Sequence, residues 1–277
     1  MVELLGGADI RQMADALGVV PTKKLGQNFV TDPNTIRKIV ASAKLGEHET
    51  VVEIGPGLGS LTLGLLDVAE HVISVEIDAK MAAAIEKTAA TRAAGKKFSL
   101  VTQDAMKVTE LPADPTALVA NLPYNISVPV LLHFIETFPS LRHGLVLVQT
   151  EVAQRLAAKP GSKVYGGPSA KLAWWADANM AGNVSRSIFW PIPNVDSSLV
   201  YFAKRDEPMG SEDLRQKTFA VIDGAFSQRR KTLRQALSDL VGSPTAAEQL
   251  LVKAGVSPQA RGEQLVIDDF IKIAKAM

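Results

Sequence analysis

Between Val51 and Gln149 short β-branched runs alternate with longer amphipathic stretches, and no other feature restricts the fold as tightly. Val51–Ile54, His71–Ile77, Phe98–Val101, Ala117–Ala120 and Gly144–Val148 read as strands. Ser60–Val68, Ala79–Arg92 and Val128–Phe138 carry apolar residues near a 3.6-residue period and read as helices. Strands separated by helices need crossover connections, which give a mainly parallel sheet covered on both faces. The fold class is therefore α/β, Rossmann-like. Ala178–Phe189 and Ser197–Ala203 predict two late strands joined by a proline-rich elbow, closing the sheet with an antiparallel hairpin.

After Lys204 the texture changes. Asp206–Ser211 reads as a linker, followed by helical patterns over Leu214–Ala225, Lys231–Leu240, Thr245–Ala254 and Gln264–Ala274. Ser243-Pro244 and Ser257-Pro258 have the form of helix starts, serine capping and proline in the first turn. Asp32-Pro33 opens a helix upstream of the core in the same way. The expected division is a catalytic segment over 1–205 and a small all-α segment over 206–277.

The absence of cysteine excludes disulfides, thiolate catalysis and cysteine-ligated zinc. The four histidines show no ligand spacing with carboxylates, so no metal is expected. Apolar runs fall short of the roughly 20 residues of a membrane helix, and Glu3, Asp9 and Asp15 oppose a secretory leader. A cytoplasmic, monomeric protein without a membrane partner is expected. The formal charge is only +1, but its distribution is uneven. Arg155, Lys159, Lys163 and Lys171 fall in a stretch without acids, and Arg229, Arg230, Lys231 and Arg234 form a second. Such clusters on a near-neutral chain suit one phosphate-facing side, and Arg155, Lys159, Lys163, Arg229, Arg230, Lys231 and Arg234 are the candidate phosphate contacts.

The strand Val51–Ile54 runs into Gly55-Pro56-Gly57-Leu58-Gly59 and then a helix. In an open α/β sheet, ligands bind beyond the carboxyl ends of such strands. A dinucleotide site is the obvious rival, but Ser60 replaces its third glycine and Gly59 comes one residue early. Gly55 and Gly57 allow close backbone approach to a ligand. Glu76, about 20 residues on, can accept from both ribose hydroxyls of a bound nucleoside. Asp104 can accept from an adenine amine. Three carboxylates, Glu53, Glu76 and Asp104, would make the pocket acidic and favour a cationic sulfonium over a pyrophosphate.

Asn121-Leu122-Pro123-Tyr124 ends the fourth of these strands. An adenine amine is a poor nucleophile because its lone pair is delocalised into the ring. Alkylating it asks for acceptors that hold its two N–H groups. The Asn121 amide oxygen is one, and the Leu122 carbonyl, ahead of a proline that supplies no donor, is the second. Tyr124 offers a face for stacking, worth about 1–3 kcal/mol per base. Phe189, opening the elbow Phe189–Ser197, can stack on the opposite face.

Together these residues resemble the KsgA family of ribosomal RNA adenine dimethyltransferases over nearly the whole chain. Lys24–Phe29 is similar to its amino-terminal cofactor motif, Val52–Thr62 to its glycine motif, and Asn121–Ile126 to its catalytic one. Phe189–Ser197 repeats its F-x-P-x-P-x-V-x-S segment; Glu151–Arg155 and Ala225–Arg234 are also similar to it. The resemblance implies S-adenosylmethionine as methyl donor, with Asn28 and Val30 at its methionine end and Gly55, Glu76, Asp104 and Asn121 completing the site. Family members usually carry leucine where Val30 stands, and Gly167-Pro168 departs from the commoner pattern. The implied substrate is a pair of adjacent adenosines in a loop near the 3′ end of small-subunit RNA, met within a pre-30S particle. Alternatives are a single-adenosine methyltransferase of large-subunit RNA, a nicotinamide oxidoreductase, and an assembly factor that only binds. The elbow and an expected Gln228–Arg234 helix favour the small-subunit type.

Overall fold

The computed structural model describes residues 2–18 and 28–277. Lys24–Gln27 of the amino-terminal motif lie outside the described residues. The strands in chain order are β1 (Phe29–Val30), β2 (Thr50–Ile54), β3 (His71–Glu76), β4 (Lys97–Thr102), β5 (Ala117–Asn121), β6 (His143–Gln149), β7 (Ala176–Val184), β8 (Phe189–Trp190) and β9 (Ser197–Lys204). Seven form one sheet in the order β4-β3-β2-β5-β6-β9-β7. β2–β6 pair in parallel, and β9 runs antiparallel to β6. From β2 the chain winds outward to β4 and then returns to β5 on the other side of β2. The order therefore reverses between β2 and β5, the place where such sheets bind ligands.

β2, β3, β5 and β6 are almost wholly buried, as expected of parallel strands covered on both faces. The covering helices Ser60–Val68 and Ala79–Arg92 match their predicted bounds. Asp78 and Asp32 cap their helices by accepting main-chain N–H bonds, from Lys80 and Met81 and from Thr35.

The predicted strand Ala178–Phe189 is not continuous. The Ser185 hydroxyl accepts from the Ser187 amide and opens a 3₁₀ turn over Arg186–Ile188, which ends β7 at Val184. Phe189 and Trp190 instead pair with Val30 and Phe29 as a separate two-stranded ribbon.

Two compact units divide the chain. The first comprises 1–153 and 180–204, the second 154–179 and 205–277. Residues 154–179 thus join the carboxyl-terminal helices although they precede Lys204. Tyr165, Ala170 and Trp174 share one apolar core with Val221, Leu251 and Phe270, and that burial draws the segment in.

Within the second unit, helices span Gly167–Trp175, Glu212–Ser227, Pro244–Lys253 and Ile267–Ala276. Ser243 caps as predicted, accepting from the Ala246 amide. Lys231–Leu240 is two short helices, Leu233–Ala236 and Ser238–Val241, so Gln228–Lys231 lie in a turn rather than on the expected helix. Ser257-Pro258 opens no helix. The carbonyls of Pro258 and Ala260 accept instead from the amides of Arg234 and Leu233, satisfying the start of that short helix.

Candidate active site

β2, β3 and β5 end side by side, and their following residues enclose a cleft in the first unit. Asn28, Val30, Gly55, Gly57, Glu76, Asn121, Leu122, Pro123 and Tyr124 all line it. Nine predicted site residues from four stretches of sequence therefore meet in one place. Gly57 has φ 56°, and a Cβ there would stand 2.9 Å from the Phe29 ring. Gly59 has φ 97°, and its Cβ would stand 2.2 Å from Ile85. The turn cannot carry side chains at these two positions without moving its supports.

The Asn121 amide nitrogen donates to the Asn28 carbonyl at 3.1 Å. Asn28 immediately precedes β1, and β1 is held by β8, with Phe29 and Trp190 stacked at 6.3 Å between centroids. The Leu122 amide donates to the Leu147 carbonyl at 3.1 Å, fixing the backbone just before Pro123. The Tyr124 hydroxyl lies 2.8 Å from the Ser197 hydroxyl, and burial raises the Tyr124 pKa above its ordinary value. The elbow thus reaches the tetrapeptide through its last residue.

Phe189 is not brought to the cleft. Its side chain is 2% exposed and belongs to the core of the first unit, with Val30 its partner across the ribbon. Asp104 does not line the cleft either. It follows β4, two strands away from β2, and its carboxylate accepts from the Met106 amide at 3.0 Å.

The electrostatics differ from a triad of carboxylates. Glu53 is buried, and desolvation raises its pKa to about 7 although Thr62 and Ser74 donate to it at 2.5 and 2.9 Å. Near neutrality it is only partly ionised. Burial also raises the pKa of Glu76, against amide hydrogen bonds from Asp78, Gly57 and Ile77 that lower it. Asp78, unlike Asp104, lines the cleft. The negative field thus rests on Glu76 and Asp78 more than on Glu53 and Asp104.

Sequence reasoning passed over Ser60 and Ile77, which also line the cleft. Ser60 is 6% exposed, opens its helix, and its hydroxyl has no hydrogen-bond partner among the described residues. Ile77 is 65% exposed, an apolar wall beside the ribose-binding candidate. An unexpected serine in place of the third glycine was the one available signal for Ser60.

These features suit S-adenosylmethionine. Glu76 presents a carboxylate for ribose hydroxyls, Ile77 an apolar face for a base, and Ser60 an unpaired hydroxyl at a helix start, where an anion is favoured. Among the described residues, no group of three or more histidines or carboxylates is placed to hold a metal.

The predicted RNA contacts all fall in the second unit. An Arg229 guanidinium nitrogen donates to the Lys163 carbonyl, so the two basic clusters meet although 66 residues separate these two. Arg229 also pairs with Glu263 at 3.2 Å, and Arg234 with Glu248 at 2.9 Å. Arg155, Lys159, Lys163, Arg230 and Lys231 are exposed.

Comparison with known proteins agrees with the geometry. The model of the ribosomal RNA adenine dimethylase family matches residues 21–277. The ribosomal RNA small subunit methyltransferase A of Paenarthrobacter aurescens is 57% identical over 275 residues, covering 99% of this chain and 94% of its own. That of Streptomyces coelicolor is also 57% identical, covering 98% and 96%. A dimethyladenosine transferase from Plasmodium falciparum superposes with a TM-score of 0.75 at 25% identity, covering 88% of this chain and 95% of its own. The 23S rRNA methyltransferase ErmE shares the fold at a TM-score of 0.67 and 24% identity, covering 90% and 99%. The sheet is that of class I S-adenosylmethionine methyltransferases, and the chain belongs to the ribosomal RNA adenine dimethylase family.

Proposed function

We propose that this enzyme transfers four methyl groups from S-adenosylmethionine to the N6 amines of two adjacent adenosines near the 3′ end of small-subunit ribosomal RNA. The carrying observation is the Asn121 amide anchored on the Asn28 carbonyl at the mouth of a nucleoside-binding cleft. The close relatives bear the small-subunit name, whereas likeness to the large-subunit enzyme ErmE is one of fold.

When bound, S-adenosylmethionine supplies an electrophilic methyl group on a cationic sulfur. The protein's part is alignment. Asn28, Val30, Gly55, Gly57 and Ser60 hold the methionine end, and Glu76 takes the ribose. Asp104, which the family resemblance places at the adenine edge, does not line the cleft. The Asn121 oxygen and the Leu122 carbonyl accept the two N–H hydrogens of the target amine and aim its lone pair. Tyr124 stacks on the base. The amine becomes cationic and acidic as it is alkylated, so its proton passes to water and no strong base is required. A monomethyl amine keeps one N–H, so one acceptor still serves the second transfer. The dimethyl product keeps none and is released.

Single-stranded loops suit this chemistry because extruding an unpaired base costs little. The joined basic clusters of the second unit hold the phosphates, and the enzyme acts as a monomer on a pre-30S particle in the cytoplasm. Among the described residues no helix is long and apolar enough to cross a membrane. Primer extension on small-subunit RNA tests the assignment, since dimethylation blocks the pairing edge of adenine. A stop near the 3′ end should be present with the gene and vanish on its deletion; a stop that persists refutes it.

A further inference from the structure

Tyr124 lines the cleft from a turn between β5 and the helix Ser127–Thr137. A long side chain on a turn has several staggered positions about its Cα–Cβ bond. The far end of this one is tied. Its hydroxyl shares a hydrogen bond of 2.8 Å with the Ser197 hydroxyl, across 73 residues of sequence. The phenol oxygen lies on the long axis of the ring, so holding it fixes the direction in which the ring points. A half-turn flip about that axis returns the same ring plane.

Ser197 is a fixed post. It is 0% exposed, opens β9 and stands opposite Gln149 of β6. Both of its neighbours are tied to Thr150. The Thr150 amide donates to the Asp196 carbonyl at 2.9 Å, and the Thr150 hydroxyl lies 2.8 Å from that of Ser198. Ser198 donates in turn to the Asn183 side-chain oxygen at 2.9 Å. Further along, the strand buries apolar Leu199, Val200 and Phe202. A hydroxyl buried at Ser197 is costly unless paired, and the partner it has is a residue of the cleft.

We propose that Ser197 is a positioning residue for the target base: through the Tyr124 hydroxyl it presets the aromatic face that receives the adenine. An untethered ring would lose rotamer freedom as the base enters, whereas a tethered one has lost it on folding. The inference rests on the function proposed above, in which Tyr124 stacks on that base.

Two measurements on the full chain test it. The chain has three tyrosines, so labelling with 3-fluorotyrosine lets the Tyr124 fluorine signal be identified as the one missing from Tyr124→Phe. Ser197→Ala should move that signal toward the position of free tyrosine, with no RNA present. The second is single-turnover methyl transfer to small-subunit RNA, both substrates saturating. Tyr124→Phe keeps the stacking face and removes only the tie. It and Ser197→Ala should each slow transfer by about fivefold to tenfold, the cost of one freed side chain. The double variant should be no slower than either, since both remove one interaction. Affinity for S-adenosylhomocysteine by calorimetry should stay at the parent value in all three. An unmoved fluorine signal overturns the proposal, as does parent-like transfer by Ser197→Ala. Losses that multiply in the double variant also overturn it, because Ser197 would then act on the fold rather than through Tyr124. A parent enzyme that transfers no methyl group to small-subunit RNA overturns the function reading and the proposal with it, a result told apart from the others by the parent rate alone.

Discussion

The Asn121 side chain donates through its amide nitrogen to the carbonyl oxygen of Asn28, 93 residues earlier, at 3.1 Å. A carbonyl can only accept, so this bond settles which end of the amide faces Asn28. The nitrogen is spent on the protein and the oxygen is left for a ligand. An acceptor is what an amine with two N–H groups requires. The backbone carrying Asn28 is held in turn by the ribbon between Phe29–Val30 and Phe189–Trp190.

Phe189→Ala should therefore act at a distance. Emptying a fully buried phenylalanine site costs about 3–5 kcal/mol. The expected result is a lower Tm and weaker cofactor binding, with a smaller loss of rate at saturating cofactor than Asn121→Ala produces. Thermal unfolding and calorimetry with S-adenosylhomocysteine check this; unchanged values in both would remove Phe189 from the support of β1.

Ser60→Ala separates binding from stability. The hydroxyl is unpaired and buried, so its loss should leave the Tm of the free protein unchanged or slightly higher. Affinity for S-adenosylhomocysteine should fall by about fivefold to tenfold, the value of roughly one hydrogen bond. Equal affinity by calorimetry would show that Ser60 does not touch the cofactor.

Glu53 gives a pH signature. Its folded pKa, about 7, is above the ordinary 4.5 because burial disfavours the charge. The folded state thus holds a proton that the unfolded state releases, and stability falls as pH rises from about 4.5 through about 7. Glu53→Gln keeps an acceptor for Thr62 and Ser74 while removing the titration. Its Tm should exceed that of the parent at pH 8 and approach it at pH 5, with a difference of at most about 3 kcal/mol. Parallel Tm profiles across that range would contradict a protonated Glu53.

Much of this was legible in the sequence, because it depends on local pattern. The helices Ser60–Val68 and Ala79–Arg92 follow from apolar spacing and neighbouring glycine or Asp78, and the parallel order follows from crossovers. Nine of the site residues lie on strand ends and turns, which is where such a sheet gathers them. Phe189 was misplaced because β7 ends at a hydroxyl-capped turn, and only tertiary pairing with Val30 decides where its ring goes. The charge of Glu53 depends on Thr62 and Ser74 and on burial, none of which spacing reveals. Ser257-Pro258 has the residues of a helix start, yet the Pro258 carbonyl, with that of Ala260, serves another helix, a nonlocal demand.

Arg230 and Lys231, exposed and outside any ion pair found among the described residues, should contact phosphate more than Arg229 and Arg234 do. Arg230→Ala and Lys231→Ala should each weaken RNA binding and lower the slope of log affinity against log salt by about 0.7–0.9. Filter binding across a salt series measures this; a slope unchanged in both variants would place the RNA elsewhere.

The most direct measurement is single-turnover methyl transfer to small-subunit RNA by Asn121→Ala, with both substrates saturating and RNA binding measured on the same sample. Loss of an aligned acceptor should slow transfer by about 10²–10³ while RNA affinity stays at the parent value. Transfer at the parent rate would contradict the assignment of the Asn121 oxygen as the acceptor that holds the target amine.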